Sequence, residues 1–155
     1  MFSDNDYLKQ TLELAYKNVE QGGRPFAALI IQDAQIVATA VNEIHLTQDP
    51  TAHAELLAIR RATQILQTQD LQNCVIYASG QPCPMCLALI HMTGIKNVIY
   101  AYSNLAAKPY YLSTEEVYEQ MSLPFSEQNI RIINLPVRLE NQQDLYKVWS
   151  EKQIK

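Results

Sequence analysis

Apolar and polar residues recur along this chain with the spacings of helices and strands in turn. A first helix is predicted between the capping residues Ser3-Asp4-Asn5 and the stop signal Gly22-Gly23. Its apolar positions recur at helical spacing: Leu8, Leu12, Ala15 and Val19. The apolar run 26–31 predicts a buried strand, Asp33-Ala34 a turn, and residues 35–41 the hairpin partner. The chain therefore opens with a helix and a hairpin.

Strand-like and helical segments alternate after this hairpin. Residues 42–50 are polar and irregular, and Thr51 can cap a helix with apolar positions at Leu56, Leu57, Ile59 and Ile65. Further strands are predicted at 74–78, 97–102 and 130–135, and further helices at 83–93, 114–121 and 142–152. Residues 103–113 have the pattern of a loop. This order predicts an α/β fold: a five-stranded mixed sheet with helices on both faces, in three α/β/α layers.

Length and composition narrow the class of protein. With 155 residues, of which 48% are hydrophobic and 18% charged, the chain suits a single globular domain, 1–155. Its longest apolar run, 26–31, is too short to span a bilayer. The first six residues show no basic segment followed by an apolar stretch, so no secretory signal is expected. We expect a cytoplasmic protein.

Charge favours a small-molecule substrate over a nucleic acid. The net charge is −4, whereas proteins that grip polynucleotides usually carry a basic face. Lysines and arginines are scattered, with Arg60-Arg61 as the one adjacent pair, and this pair is typical of a solvated helix face. Nucleic acid and membrane partners are therefore not expected.

Two short fragments carry the chemistry. The chain has three cysteines, an odd number that points to metal or thiol chemistry rather than a disulfide framework. Two of them belong to Pro-Cys-Pro-Met-Cys at 82–86, and the other fragment is Thr-Ala-His-Ala-Glu at 51–55. Each fragment stands at the start of a predicted helix. Such helix ends favour anions, including thiolates.

These residues suit a catalytic zinc site. Cys83 and Cys86 are one helical turn apart, so both sulfurs face one side. With His53 they supply three ligands for Zn²⁺ and leave a fourth tetrahedral position for water. Glu55 is suited to take a proton from that water and return it to the substrate. We therefore predict a zinc centre of His53, Cys83 and Cys86, with Glu55 as the catalytic proton shuttle.

Two other interpretations of the cysteines stay open. A non-catalytic zinc module would need a fourth protein ligand, and Cys74 is the spare cysteine. A thiol oxidoreductase would use Cys83 and Cys86 as a redox pair, but it would give Glu55 no role.

The two fragments together resemble the H-x-E…P-C-x-x-C signature of zinc nucleobase deaminases. Over residues 22–102 the chain resembles the cytidine deaminase superfamily, and within it the bacterial guanine deaminases and then the tRNA adenosine deaminases. The resemblance implies a zinc-dependent hydrolytic deaminase of a small amino-purine or related heterocycle. Guanine, converted to xanthine and ammonia, is the expected substrate, with another nucleobase or nucleoside, or tRNA adenosine, as the alternative. It also implies a homodimer.

The same resemblance assigns further residues to substrate binding. Phe26 matches an aromatic that lines the base pocket, and Asn42 matches an asparagine that hydrogen-bonds the base. Ala54 is expected to contact the substrate, as is Pro82, whose following amides resemble those that stabilise the oxygen at the metal.

This chain departs from the family at three positions near the expected pocket. Gln81 stands where the family usually has Glu, Ala27 where it usually has Gly, and Ala106 near an aspartate of the guanine deaminases. These departures leave the identity of the heterocycle open. It also stays open whether the C-terminal segment, with Glu140 and Trp149, reaches its own or a neighbour's active site.

Overall fold

A computed structural model describes residues 1–153, and the chain divides into two compact units, Met1–Ser122 and Leu123–Lys155. None of the helices within residues 1–153 combines the length and the apolar composition that a membrane span requires. The single domain expected from length stays a prediction.

The first unit contains four strands, six α-helices and a 3₁₀ turn. The strands are β1 (Ala27–Gln32), β2 (Gln35–Val41), β3 (Cys74–Gly80) and β4 (Asn97–Tyr102). The helices are α1 (Asp4–Glu20), α2 (Ile44–Thr47), α3 (Ala54–Leu66), α4 (Pro84–Thr93), α5 (Asn104–Ala107) and α6 (Glu115–Met121), and the 3₁₀ turn is Lys108–Tyr110. The second unit contains a 3₁₀ turn, Phe125–Glu127, and α7 (Leu145–Gln153).

The sheet of the first unit is mixed, as predicted. Its strand order is β2-β1-β3-β4. Strand β1 pairs antiparallel with β2 and with β3, and β3 pairs parallel with β4, Tyr77 lying opposite Ile99. Helix α4 forms the crossover between the two parallel strands, so β3 and β4 end at the same edge of the sheet.

Both faces of the sheet are buried under helices. Because side chains alternate along a strand, Ala28, Ile30 and Ile76 pack on one face in the core that α3 and α4 complete. Leu29 and Tyr77 pack on the other face with Tyr7 of α1. Each fully buried aliphatic side chain of this kind stabilises the fold by about 1.5–3 kcal/mol. The predicted three-layer α/β/α arrangement is confirmed.

The predicted fifth strand is wrong. Residues 130–135 form no strand, and the sheet within residues 1–153 has four strands instead of five. The apolar side chains Ile130, Ile133 and Leu135 are exposed. A sequence with alternating apolar residues gives a strand one apolar face, but a strand also needs a neighbouring strand for its backbone hydrogen bonds. Among the described residues, the segment 130–135 has no such neighbour.

Two boundaries near the motifs also differ from expectation. Helix α3 begins at Ala54 instead of directly after Thr51, and the N-cap of α4 is Cys83. The expected loop 103–113 contains the short helix α5 and a 3₁₀ turn, because the Ser103 hydroxyl accepts a hydrogen bond from the Ala106 amide and caps α5.

Candidate active site

His53 and Cys83 occupy the same structural position in two different helices. His53 is the N-cap of α3 and Cys83 is the N-cap of α4, and both have extended backbone angles. Cys86 lies in the first turn of α4, and its amide donates to the Cys83 sulfur at 3.5 Å. The positive ends of two helix dipoles therefore surround these three side chains.

The three predicted ligands come together with spacings that fit a tetrahedral zinc ion. The Nδ1 atom of His53 lies 3.4 Å from the Cys83 sulfur and 3.7 Å from the Cys86 sulfur. All three donor atoms lie within 4.8 Å of one another. Zn–S bonds of about 2.3 Å and Zn–N bonds of about 2.0 Å at tetrahedral angles require N···S separations of about 3.5 Å. The chemistry and the spacing of the donor set fit Zn²⁺.

The electrostatics of this group favour a thiolate. Hydrogen bonding from Cys86 and from His53 lowers the pKa of Cys83 well below its ordinary value. The hydrogen bond with Cys83 in turn raises the pKa of His53. A thiolate is the form of cysteine that binds metal, so Cys83 is prepared for coordination.

Glu55 lies beside this group in the first turn of α3 and is almost completely buried. Burial raises its pKa to about 7, while a hydrogen bond with Cys86 opposes the rise. On a helix, two residues that are two positions apart point in widely different directions. His53 and Glu55 nevertheless lie close together, because His53 precedes α3 and Glu55 lies inside it.

A cavity of about 980 Å³ opens over the group. His53, Glu55 and Cys83 line its base, and the α1 residues Leu12 and Tyr16 line one side. The other side is the segment that follows β4, from Ser103 to Thr114. Glu55 is the one carboxylate among the described lining residues.

Of the four residues predicted to bind substrate, the structure places three in the cavity lining. Phe26, Asn42 and Ala54 line the cavity. Pro82 is buried and is not among the lining residues, whereas Ala106 is. The substrate contacts of all four predicted residues stay predictions.

Phe26 holds its place in the cavity through close packing against Gly80. A Cβ atom at Gly80 would lie 2.9 Å from the Phe26 ring, so glycine makes room for the aromatic side chain. The Ser79 hydroxyl accepts a hydrogen bond from the Ala27 amide at 3.0 Å and donates to the Pro25 carbonyl at 3.1 Å. Ser79 thus fixes the backbone on both sides of Phe26.

The side chain of Asn42 is oriented by the backbone amide of Ile44, two residues further along the chain. Its Oδ1 accepts from the Ile44 amide at 3.1 Å, which leaves the Nδ2 group as its free donor within the described part of the chain. The side-chain Nδ2 group of the buried Asn18 donates to the backbone carbonyls of Asn42 and Arg24, at 3.0 and 2.8 Å.

Sequence reasoning missed Asn18 and Ser79. A polar residue on the buried face of α1 was a signal for Asn18. No local pattern distinguishes Ser79, because its partners lie 52 and 54 residues away.

Cys74 does not join the group. It lies at the start of β3, whereas Gly80, near the cavity, ends that strand. The Cys74 thiol donates to the Gln32 side chain at 3.4 Å. The described residues therefore supply three ligands to this group and no fourth, as expected of a catalytic zinc site rather than a structural one.

Comparison with known proteins agrees with this geometry. The model of the MafB19-like deaminase family matches residues 2–147. This chain belongs to the MafB19-like deaminases. The chain is also 38% identical over 125 residues to the guanine deaminase of Bacillus subtilis, covering 80% of each protein. A tRNA-specific adenosine deaminase of Aquifex aeolicus is 37% identical over 95 residues, or 61% of this chain and 63% of the Aquifex enzyme.

The fold of this deaminase is similar to that of a solved relative. The X-ray structure of guanine deaminase from Bacillus subtilis superposes with a TM-score of 0.87 and 33% identity, covering 97% of this chain and 95% of the other. Family membership and these relatives make the chain a hydrolase that acts on cyclic amidines, and they confirm the resemblance inferred from the two motifs.

Proposed function

We propose that this deaminase removes ammonia from guanine with a zinc ion held by His53, Cys83 and Cys86. The observation that carries the proposal is the group of His53, Cys83 and Cys86, of which the first two line one cavity together with Glu55. The chain is 38% identical to a guanine deaminase in an alignment that covers 80% of its length, and this similarity supports guanine as the purine. The product would be xanthine, which gives the enzyme a role in purine metabolism.

His53, Cys83 and Cys86 would hold the zinc ion, which would act as a Lewis acid beside the substrate. Glu55 accepts one proton from the attacking water and delivers it to the ring nitrogen. It then takes the second proton from the same oxygen and delivers it to the amino group, which leaves as ammonia. The water oxygen becomes the new carbonyl oxygen, so substrate and water are converted to oxopurine and ammonia without any other reactant. Low exposure keeps the Glu55 carboxylate from exchanging its proton with bulk solvent.

Neutral groups recognise the base in this proposal. Asn42 presents its Nδ2 donor to the cavity, and guanine offers acceptors at its exocyclic oxygen and ring nitrogens. Phe26 supplies an aromatic surface for the ring. Ala54 and Pro82 are the chain neighbours of the ligands His53 and Cys83, and the amides after Pro82 donate to the oxygen that attacks the substrate.

The decisive experiment is an ammonia-release assay with zinc-loaded protein over a panel of amino-heterocycles. Guanine should give the highest kcat/KM among guanine, adenine, cytosine, a triazine and the corresponding nucleosides. The Glu55→Ala variant should keep one zinc per chain and release no ammonia above background. A wild-type protein that binds zinc and deaminates another heterocycle better would refute guanine as the substrate.

The second candidate is deamination of tRNA adenosine, favoured by the 37% identity with the Aquifex enzyme. Such an enzyme should act on an RNA stem-loop, and its activity should fall steeply with salt because phosphate contacts release counterions. The net charge of −4 argues against it. Activity on free guanine that is insensitive to salt would exclude this candidate.

We also propose a homodimer. Residues 123–153 carry many exposed apolar side chains, including Leu135, Val137, Leu139 and Trp149. Apolar surface on this scale is typical of association sites. Light scattering should report twice the mass of one chain, and a monomer at micromolar concentration would contradict the proposal.

The three cysteines form no disulfide, which supports a reducing, cytoplasmic location. Cell fractionation tests this location.

A further inference from the structure

The segment 103–114, here called the wall loop, forms one side of the cavity. It follows β4 directly, at the sheet edge where β3 also ends. The Gln81 amide, which follows β3, donates to the Tyr102 carbonyl at 2.7 Å. The wall loop therefore leaves the sheet beside the turn that carries Cys83.

One asparagine closes the wall loop. The Oδ1 atom of Asn104 accepts from the Thr114 amide at 3.5 Å, and its Nδ2 group donates to the Thr114 hydroxyl at 3.4 Å. The Asn104 backbone amide donates to the Gln81 side-chain oxygen at 3.0 Å. Gln81 is thus the side chain that connects the closed wall loop to the ligand-bearing turn.

Helix α6 also contacts the ligand-bearing turn. The Tyr118 hydroxyl donates to the Pro82 carbonyl, in the peptide that leads into Cys83. Burial raises the pKa of Tyr118, so the phenol keeps its proton and remains a donor at neutral pH.

This place requires an acceptor at the end of the side chain. The Gln81 oxygen accepts from the Asn104 amide, and a glutamate at this position would keep that acceptor, whereas a methionine would not.

We propose that Gln81 is a positioning residue that holds the wall loop, through Asn104, against the turn carrying Cys83, which Tyr118 holds at the Pro82 carbonyl. In this way Gln81 sets the shape of the substrate cavity. This inference rests on the proposed deaminase site, but it concerns substrate binding and not the proton transfer that Glu55 performs.

The first test replaces Gln81 with methionine, which keeps the length of the side chain and removes its hydrogen bond with the Asn104 amide. Gln81→Met should raise KM for the best substrate by about tenfold while kcat changes by less than about threefold, because uniform binding is lost. Gln64→Met is the matched control, since Gln64 is exposed on α3 outside the cavity lining, and it should leave both constants unchanged. An unchanged KM in Gln81→Met would overturn the proposal.

A second readout does not depend on turnover. Amide hydrogen exchange in residues 104–114 should be faster in Gln81→Met than in the wild type, while zinc content stays at one ion per chain. If no aminopurine were deaminated by the wild type, the proposed substrate would fail and the exchange result would still decide the role of Gln81. If Gln81→Met did not fold, Thr114→Val would loosen the same loop and should change exchange in the same direction.

A rescue variant tests the acceptor role of residue 81. Gln81→Glu keeps an acceptor for Asn104, so its KM should lie within about threefold of the wild type. A Gln81→Glu variant as impaired as Gln81→Met would overturn the proposed link to the wall loop.

Tyr118→Phe and Tyr7→Phe each remove a hydroxyl that donates to a backbone carbonyl, Tyr7 to that of Ala34 at 3.1 Å. Both should lower the melting temperature, but Tyr118→Phe alone should change the kinetic constants. Equal kinetics in the two variants would show a merely structural role and contradict the proposal.

Discussion

The two compact units of this chain use apolar residues in opposite ways. In Met1–Ser122, apolar side chains alternate along strands and are buried on both faces of a four-stranded sheet. In the described part of Leu123–Lys155, apolar side chains such as Ile130, Leu139 and Trp149 remain exposed. The first unit therefore has a core of its own, whereas the described part of the second leaves these apolar side chains exposed.

This contrast shows that a hydrophobic pattern predicts the apolar face of a strand but not which neighbouring strand pairs with it. Strand β1 and the segment 130–135 are both apolar enough to be predicted as strands. Strand β1 pairs with two neighbours, while the later segment pairs with none among the described residues. Backbone hydrogen bonding to a neighbouring strand makes the difference.

The largest expected effect tests whether the chemistry belongs to the first unit alone. Glu55→Gln removes the proton carrier and should lower kcat by about 10³-fold or more, with zinc retained. Glu151→Gln, which changes an exposed glutamate of α7, should alter kcat by less than about twofold. Steady-state ammonia release measures both, and a large loss in Glu151→Gln would break the contrast between the units.

A core substitution in each unit tests the contrast in burial. Ile76 is 0% exposed in β3, and Ile76→Ala should lower the free energy of unfolding by about 3 kcal/mol. Leu139 is 76% exposed, and Leu139→Ala should change it by less than about 0.5 kcal/mol. Urea denaturation at a concentration where light scattering reports monomer measures both. Equal losses would mean that the second unit has a core after all.

A helix cap gives a smaller effect. The Ser3 hydroxyl accepts from the Asp6 amide at 3.2 Å, and the Asp6 carboxylate accepts from the Ser3 amide at 2.8 Å. Ser3→Ala should cost about 1 kcal/mol because α1 loses this capping box. Ser150→Ala inside α7 should cost nothing, since alanine has the higher helix propensity. Thermal melts compare the two serines, and an equal cost would contradict the importance of the cap.

The smallest expected effect is a change of melting temperature with pH, caused by Asp49 in the loop before His53. Hydrogen bonds from the Thr51 hydroxyl and amide, at 2.7 and 2.8 Å, lower the pKa of Asp49 below its ordinary value. A lowered folded-state pKa contributes stability at higher pH that is lost as pH falls from about 4 through the folded pKa. The melting temperatures of the wild type and Asp49→Asn should therefore differ most near pH 6 and converge towards pH 2. A difference that does not vary with pH would be the contradictory result.

Much of the fold was predictable because the decisive signals are local. The period of α1, the hairpin of β1 and β2, and the strands β3 and β4 follow from spacing and turn residues. The motif residues His53, Glu55, Cys83 and Cys86 were also recognisable, since their spacing places them at two helix starts. The observed helix boundaries differ from the predicted ones by a few residues. One example is α3, which begins after His53, the residue that contacts Cys83.

The sequence by itself showed the two short motifs that carry the candidate donors, and its local periodicities indicated the α/β class of the fold. The contact of His53 with Cys83, 30 residues further along the chain, was a tertiary outcome. Tertiary structure decided which backbone segments meet around the cavity. It brought Asn18 to the carbonyls of Arg24 and Asn42, and Gln81 to the amide of Asn104. It also left residues 130–135 without a strand partner. These outcomes depend on hydrogen bonds between distant parts of the chain, and no local pattern encodes which donor will meet which acceptor.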